Sequence, residues 1–285
     1  MSDARRRSLI TLCLATVLWA STPVLIKLVP LGAFAQVSSR SSITAVLLLA
    51  LVGWPRRLNR VDLLRSVFQA ATTVGFIVST SWGTPEAATV LFYTAPIISA
   101  LGAPLLAGRR PRGASVAAAL TVALGIWLVV RHGLAAVSVG AVVAGLGGAV
   151  CYSTWAELSR RVRPHVAGQD LVVGMALLGA LFAPAFVSEV RAGARLGLFE
   201  SCALAAGATI AALGFFWIDR ALRHISPTAV VLISAAEVPL VFLWTMPFFR
   251  TVPTLESAAG GLLVFAAVAW MGIHADSRDP APAVA

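Results

Sequence analysis

Two of the ionisable residues inside the long apolar stretches of this sequence are candidates for chemistry, because a charge there is costly. Arg40 lies in the stretch 33–53, and Glu237 lies in the stretch 227–249, two residues before Pro239. Ionisable side chains in membrane-spanning segments face the interior of the helix bundle and often mark a substrate or ion pathway. Glu237 is therefore a candidate carboxylate for binding an amine or carrying a proton, and Arg40 is a candidate functional group.

Polar and aromatic side chains form stripes along otherwise aliphatic stretches. Gln69, Thr73, Phe76 and Thr80 recur every three or four residues and so share one helix face. Aromatic walls with a few hydroxyls suit a partly apolar ligand that has one or two polar ends. With Glu237 and this face, the predicted substrate-binding residues are Trp19, Ser21, Phe92, Tyr93, Tyr152, Trp155, Trp217 and Ser234. For each of them the alternative is packing between helices.

The composition requires a membrane. Hydrophobic residues make up 59% of the 285 residues, charged residues only 12%, and the mean hydropathy is +0.88. About 20 apolar residues are needed to cross the hydrocarbon as a helix. Ten such stretches are predicted: 8–29, 33–53, 62–82, 85–107, 114–131, 137–159, 169–190, 198–218, 227–249 and 256–273. The expected fold is an all-α integral membrane protein with ten transmembrane helices.

The net charge of +10 is concentrated in short arginine clusters between the apolar stretches. Such clusters orient a membrane protein, with the basic loops cytoplasmic, and they do not form a nucleic-acid-binding face. Arg56, Arg57, Arg60 and Arg65 form one of these clusters. The pattern predicts a multi-pass protein of the cytoplasmic (inner) membrane, with both termini in the cytoplasm. Its expected partners are the lipid bilayer and a small-molecule substrate.

The two halves of the chain repeat. At an offset of 143 residues, Pro96 falls on Pro239, Pro104 on Pro247 and Trp127 on Trp270. Because each half has an odd number of spans, the second half is inverted relative to the first, as in many secondary transporters. We therefore predict five-helix repeats at 8–131 and 137–273, and a disordered cytoplasmic tail at 274–285.

Matched prolines suggest hinges. Pro96 and Pro239 each remove a backbone hydrogen bond and should kink their helix, so that its two parts can swing separately. The alternative is a static bend of the kind common in membrane helices. Both segments also open with a hydroxyl residue before proline, Thr84-Pro85 and Ser226-Pro227, which predicts helix N-caps.

The sequence lacks the motifs that several classes of function require. The sequence has no HExxH, no P-loop and no Gly-x-Ser-x-Gly motif, so an enzyme is not expected. Cys13, Cys151 and Cys202 are spaced irregularly inside apolar stretches, which gives no metal or disulfide pattern. No metal and no cofactor is expected. The oligomeric state is not legible from the sequence.

The sequence resembles the EamA-like ten-span exporters of the drug/metabolite transporter (DMT) superfamily over residues 8 to 273. The resemblance is carried by Trp19-x-Ser21-x-Pro23-x3-Lys27, Arg40, Pro96, the small-residue run ending at Gly125, and Glu237-x-Pro239. Where the family often has a Gly-Glu pair, this sequence has Gly108-Arg109 and Arg250-Thr251. The resemblance implies export from the cytoplasm by alternating access, and the aromatic stripe is similar to that of YddG-type exporters of aromatic amino acids.

Three hypotheses follow. The first is a secondary exporter of amino acids, aromatic ones first. The second is a broad-specificity efflux protein for drugs or cationic compounds, with or without coupling to protons, for which Glu237 is essential. The third is a membrane-embedded enzyme or sensor, which the lack of a catalytic constellation disfavours.

Overall fold

The computed structural model describes residues 3–55, 58–102, 105, 110–111, 113–130, 137–159, 168–250 and 254–274. Throughout this part of the chain the regular elements are helical, as predicted. They are α1 (Asp3–Trp19), α2 (Thr22–Lys27), α3 (Ala33–Val52), α4 (Arg60–Trp82), α5 (Pro85–Phe92), α6 (Ala95–Ile97), α7 (Gly113–Val130), α8 (Val139–Leu158), α9 (Gln169–Leu181), α10 (Ala183–Arg191), α11 (Leu198–Ala221), α12 (Pro227–Ser234), α13 (Glu237–Phe249) and α14 (Leu255–His274). A π-helical turn, Ile98–Gly102, follows α6.

Six helical segments are long and apolar enough to cross a membrane. They are Arg5–Lys27, Ala33–Val52, Arg60–Trp82, Val139–Leu158, Leu198–Ala221 and Pro227–Phe249. Helices α9 and α10 meet at a bend of 42° and give a seventh span if they are counted together. The apolar helices Gly113–Leu128 and Ala258–Ala267 are shorter. These lengths and compositions support a multi-pass helical membrane protein.

Polar caps fix where several helices begin. Thr84 Oγ1 accepts a hydrogen bond from the Ala87 amide at 3.2 Å, and Ser226 Oγ accepts one from the Ala229 amide at 3.3 Å. Both predicted N-caps are therefore confirmed, each with proline at the first helical position. Asn59 and Asp62 form a capping box at the start of α4, at 2.8 and 2.9 Å.

The two segments with matched prolines are both interrupted. Helix α5 ends at Phe92 and α6 begins at Ala95, just before Pro96. Helix α12 ends at Ser234 and α13 begins at Glu237, two residues before Pro239. Each break therefore lies in the turn that precedes the proline, where the missing amide and the ring weaken the helix. Pro104 and residues 275–285 of the predicted tail lie outside the described residues.

Glycine allows the closest helix contacts. A Cβ atom on Gly75 of α4 would lie 2.6 Å from the Ala144 carbonyl oxygen and 2.8 Å from the Gly148 Cα of α8. A Cβ atom on Gly125 of α7 would lie 2.6 Å from the Gly260 carbonyl oxygen of α14. Small residues let helix backbones approach in membranes, where dispersion contacts replace the hydrophobic effect as the main attraction. Gly148 therefore takes part in a close contact between two helices of the same chain, α4 and α8.

Candidate functional site

A cavity lies between helices of both predicted halves. Its volume is about 70 Å³, measured as the space open to the centre of a water molecule. That is room for a few waters, so a ligand as large as an amino acid requires the walls to move. The lining residues are Trp19, Thr22, Arg40, Ser41, Thr44, Thr72, Thr73, Phe76, Ile77, Phe92, Met175, Ala211, Phe215 and Glu237.

Aromatic rings form the apolar wall of this cavity. Trp19 and Phe215 meet edge to face at 5.0 Å between ring centroids, and Phe76 and Phe92 do so at 5.1 Å. The indole nitrogen of Trp19 donates to the Ile210 carbonyl oxygen at 3.2 Å, which fixes the ring against α11. Edge-to-face pairs of this kind contribute about 0.5–1.5 kcal/mol beyond their buried area. The wall is thus an apolar surface against which a flat ligand can pack.

Glu237 brings a carboxylate to the cavity at the break between α12 and α13. Its side chain is 2% exposed, and the Tyr93 hydroxyl donates a hydrogen bond to its Oε2. Tyr93 lies at the corresponding break after α5, so this hydrogen bond joins the two interrupted segments. A second, longer contact joins α8 to the end of α12: the Tyr152 hydroxyl and Ser234 Oγ are 3.3 Å apart. The carboxylate is therefore held by neutral groups, and a cationic partner is absent from its described contacts.

A buried ionic cluster closes the bundle at the end where α4 and α9 begin and α11 ends. Arg65 Nη1 donates to both carboxylate oxygens of Asp170, at 3.0 and 3.1 Å, and Arg65 Nη2 donates to Asp219. Arg65 Nε donates to Ser159 Oγ at 3.0 Å, and its guanidinium lies 5.3 Å from the Trp155 ring centroid. The Arg65 and Asp170 side chains are fully buried. The cluster joins helices of both predicted halves.

The sequence pattern did not predict the burial of Arg65. It groups Arg65 with the orienting arginines of a cytoplasmic cluster, and the structure places it within α4 with no exposed surface. The signal that could have found the cluster is the pair of carboxylates at the ends of two apolar stretches, Asp170 and Asp219, because buried carboxylates need a cationic partner.

Comparison with known proteins finds a family for the first part of the chain. The sequence model of the EamA-like transporter family matches residues 6–131. This part of the chain is therefore similar to a family of membrane transporters.

The other two comparisons concern the whole chain. No curated protein matches the sequence significantly. A solved structure, described in its title only as a crystal structure of a protein, superposes with a TM-score of 0.79 and covers 96% of this chain and 100% of its own. At 18% sequence identity the likeness shows the fold alone. The chain therefore shares that helical fold over nearly its full length.

The cavity includes five of the predicted substrate-binding residues. These are Trp19, Thr73, Phe76, Phe92 and Glu237. Phe215, on the same helix as the predicted Trp217, supplies the ring that lines the cavity, and Trp217 lies partly buried beside the core.

The other predicted residues lie around the lining. Gln69 Nε2 contacts Thr73 Oγ1 at 3.2 Å, and Tyr93, Tyr152 and Ser234 surround Glu237 as described above. Ser21 and Thr80 bond back to their own helices, Ser21 to the Leu18 carbonyl at 2.7 Å and Thr80 to the Phe76 carbonyl at 2.8 Å. Trp155 stacks on Tyr152 at 5.7 Å and lies beside the Arg65 cluster.

The described side chains that could bind a metal ion do not form a metal site. Across the described ranges, no group of three or more His, Cys, Asp and Glu side chains is arranged to hold a metal ion.

Proposed function

We propose that the protein exports amino acids, aromatic ones first, or similar small metabolites across the cytoplasmic membrane by alternating access. The observation that carries this proposal is the composition of the cavity: aromatic rings form its walls, and one carboxylate and one guanidinium reach it. An apolar pocket with a few convergent polar groups is the usual form of a small-molecule site. The match of residues 6–131 to the EamA-like transporter family supports the transport activity.

We further propose that ten spans form two inverted five-helix repeats, with both termini cytoplasmic. The interrupted segments support this topology, because each begins with a hydroxyl cap and proline and breaks just before Pro96 or Pro239. In many transporters with inverted repeats, interrupted helices of this kind contribute to the substrate site near the middle of the membrane. Tyr93 and Glu237, which are hydrogen-bonded to each other, come from the two breaks.

In this topology the Arg65 cluster is the cytoplasmic closure. Substrate enters from the cytoplasm only after Arg65 separates from Asp170 and Asp219, so the cluster must break and re-form in each cycle. The breaks at Pro96 and Pro239 are the proposed hinges for this movement, because backbone without a complete set of helical hydrogen bonds bends at low cost.

A second candidate function rests on Glu237. A buried carboxylate that lines a cavity beside aromatic rings also suits a drug or another organic cation, which such sites bind by charge and by cation–π contacts. Arg40 in the same lining opposes this alternative, since a cationic ligand is repelled by a nearby guanidinium.

The proposed function is tested by counterflow in liposomes that contain the purified protein. Labelled tryptophan, phenylalanine, threonine and alanine are offered outside vesicles loaded with the same unlabelled amino acid. We expect uptake of the aromatic amino acids above protein-free vesicles, and at least a tenfold loss of uptake in Glu237→Gln. Glu200→Gln is the matched control, because Glu200 lies in the first turn of α11 outside the cavity lining.

Absence of exchange for all four amino acids contradicts the proposal. Exchange of an organic cation by the same vesicles, lost in Glu237→Gln, would then establish the efflux alternative.

A further inference from the structure

Arg40 carries a buried charge that the described residues leave unpaired. Its side chain is 3% exposed, and neither Nη1 nor Nη2 has a hydrogen-bond partner in the described part of the chain. A guanidinium stays protonated at all relevant pH and can only donate hydrogen bonds. An isolated buried charge is among the most costly features a protein can hold, so it persists where function requires it.

The backbone of α11 holds the Arg40 guanidinium in place. A Cβ atom on Gly207 would overlap Nη1 and Nη2, so the guanidinium lies directly on the glycine face of α11. One turn along α3, the Thr44 hydroxyl donates to the Ala208 carbonyl oxygen at 3.1 Å and fastens the two helices together. The fork of donors is thus positioned before any ligand arrives, which lowers the entropy cost of binding.

Two more unpartnered groups line the same cavity. Ser41 Oγ and Thr22 Oγ1 are buried, and neither has a hydrogen-bond partner among the described residues. A guanidinium and two hydroxyls are together a set of donors, whose natural complement is an anionic group with several acceptor oxygens. Because three unsatisfied side chains converge on one cavity, the missing partner is a ligand.

The rest of the lining defines what is attached to that anion. Arg40 and Glu237 are the two charged residues that the structure places in the lining, and aromatic rings fill the wall. A ligand that neutralises both must carry an anion and an ammonium group on an apolar body. Carboxylate and phosphate share the acceptor chemistry, and a small zwitterion with a carboxylate, an ammonium group and an apolar side chain is an amino acid.

We propose that Arg40, with Ser41 and Thr22, binds the carboxylate of the transported amino acid. This inference rests on the proposed function and deepens it. It assigns the carboxylate end of the substrate to Arg40 and Ser41 on α3 and to Thr22 at the start of α2. Glu237 then faces the amino group, and the side chain packs on the Trp19, Phe76 and Phe215 rings.

The test measures binding of four probes to the purified protein in detergent. Phenylalanine carries a carboxylate and an ammonium group. 3-Phenylpropionate carries only the carboxylate, and phenethylamine carries only the ammonium group. Phenyl phosphate carries a phosphate group and neither of the other two. In the wild type we expect phenylalanine to bind at least tenfold more tightly than phenethylamine, and 3-phenylpropionate to bind more tightly than phenyl phosphate. Arg40→Gln should weaken binding of phenylalanine and 3-phenylpropionate at least tenfold, and it should not weaken binding of phenethylamine, because a repelling charge has been removed.

Two further variants separate binding from folding. Gly207→Ala places a methyl group where the guanidinium lies and should weaken the two carboxylates while Arg40 itself is kept. Arg220→Gln is the matched control, because Arg220 is exposed near the end of α11 and lies over the Phe216 ring at 4.1 Å. The melting temperature of ligand-free Arg40→Gln should equal or exceed that of the wild type, since an unpaired buried charge has been removed, whereas a structural arginine would lower it.

The outcomes distinguish failure of the carboxylate site from failure of the proposed amino-acid substrate. Equal binding of phenylalanine and phenethylamine to the wild type overturns the carboxylate site, as does tighter binding of phenyl phosphate or failure of all carboxylates to bind. Binding of 3-phenylpropionate that depends on Arg40, without binding or counterflow of any amino acid, supports the carboxylate site and overturns the proposed amino-acid substrate.

Discussion

Replacing Asp170 by asparagine is expected to open the end of the bundle that Arg65 closes. The change keeps the shape of the side chain but removes the charge that accepts both hydrogen bonds from Arg65 Nη1, at 3.0 and 3.1 Å. Arg65 keeps its contact with Asp219, so the variant weakens the closure without leaving the guanidinium alone. The state in which this end is open makes no such contact and is unaffected.

The size of the effect follows from these contacts. A hydrogen bond to a charged group contributes about 1.5–3 kcal/mol, and asparagine retains at most one neutral acceptor. The closed state therefore loses about 1.5–3 kcal/mol relative to the open one, or roughly 10- to 150-fold in their ratio. Relief of repulsion between Asp170 and Asp219 moves the figure toward the lower end. If the open state holds about 1% of wild-type molecules, it rises to roughly 10–60% in the variant.

Labelling of a reporter cysteine measures this shift. Thr72→Cys places a thiol in the cavity lining, in a background that lacks Cys13, Cys151 and Cys202. A membrane-impermeant maleimide is applied to the face where α4 begins, which is cytoplasmic in the proposed topology. Labelling should be slow in the wild type and at least tenfold faster with Asp170→Asn.

The control for this labelling acts at the other end of the bundle. Glu189→Gln changes a carboxylate that accepts the Gly32 amide at 3.0 and 3.1 Å, and it should leave the rate unchanged. Equal labelling of the wild type and Asp170→Asn would refute the closure.

Two further predictions concern the hinges and the packing. The double variant Pro96→Ala with Pro239→Ala should lower amino-acid flux at least tenfold at normal expression, because both helix breaks lose their cause, whereas Pro247→Ala inside α13 should not. Unchanged flux in the double variant removes the hinges from the mechanism. Gly75→Leu should destabilise the protein by about 1–3 kcal/mol or prevent folding, as judged by thermal unfolding, since even a Cβ atom there meets the α8 backbone at 2.6 Å. Gly147→Leu, where a Cβ atom meets nothing within 4 Å, should be tolerated.

The helical fold could be predicted because each span is recorded locally in the sequence. Runs of apolar residues set the helices, and Thr84-Pro85 and Ser226-Pro227 set two of the starts, which the structure confirms. The interruption of α5–α6 and of α12–α13 also follows from single prolines. What the sequence could not supply is the pairing of residues from distant helices, such as Gly75 with Gly148.

The candidate site could be predicted only in part, for the same reason. Periodicity places Thr73 and Phe76 on one face, and both line the cavity. It does not say which neighbouring face they meet, so Phe215 was missed in favour of Trp217, two residues away on the other side of α11. The ion pairs of Arg65 were missed because a basic residue near the start of a span looks like an interfacial anchor until its acidic partners, 105 and 154 residues away, are brought beside it.

The central claim is that the cavity between the two halves is the route of the transported amino acid. Ala211 lines this cavity on α11, and a phenylalanine there would fill a space of about 70 Å³, whereas Ala205 on the same helix is exposed on the outside of the bundle. The most direct measurement is tryptophan counterflow by Ala211→Phe and Ala205→Phe, reconstituted in equal amounts. We expect Ala211→Phe to abolish exchange and Ala205→Phe to keep it. Undiminished exchange by Ala211→Phe would contradict a transport route through this cavity.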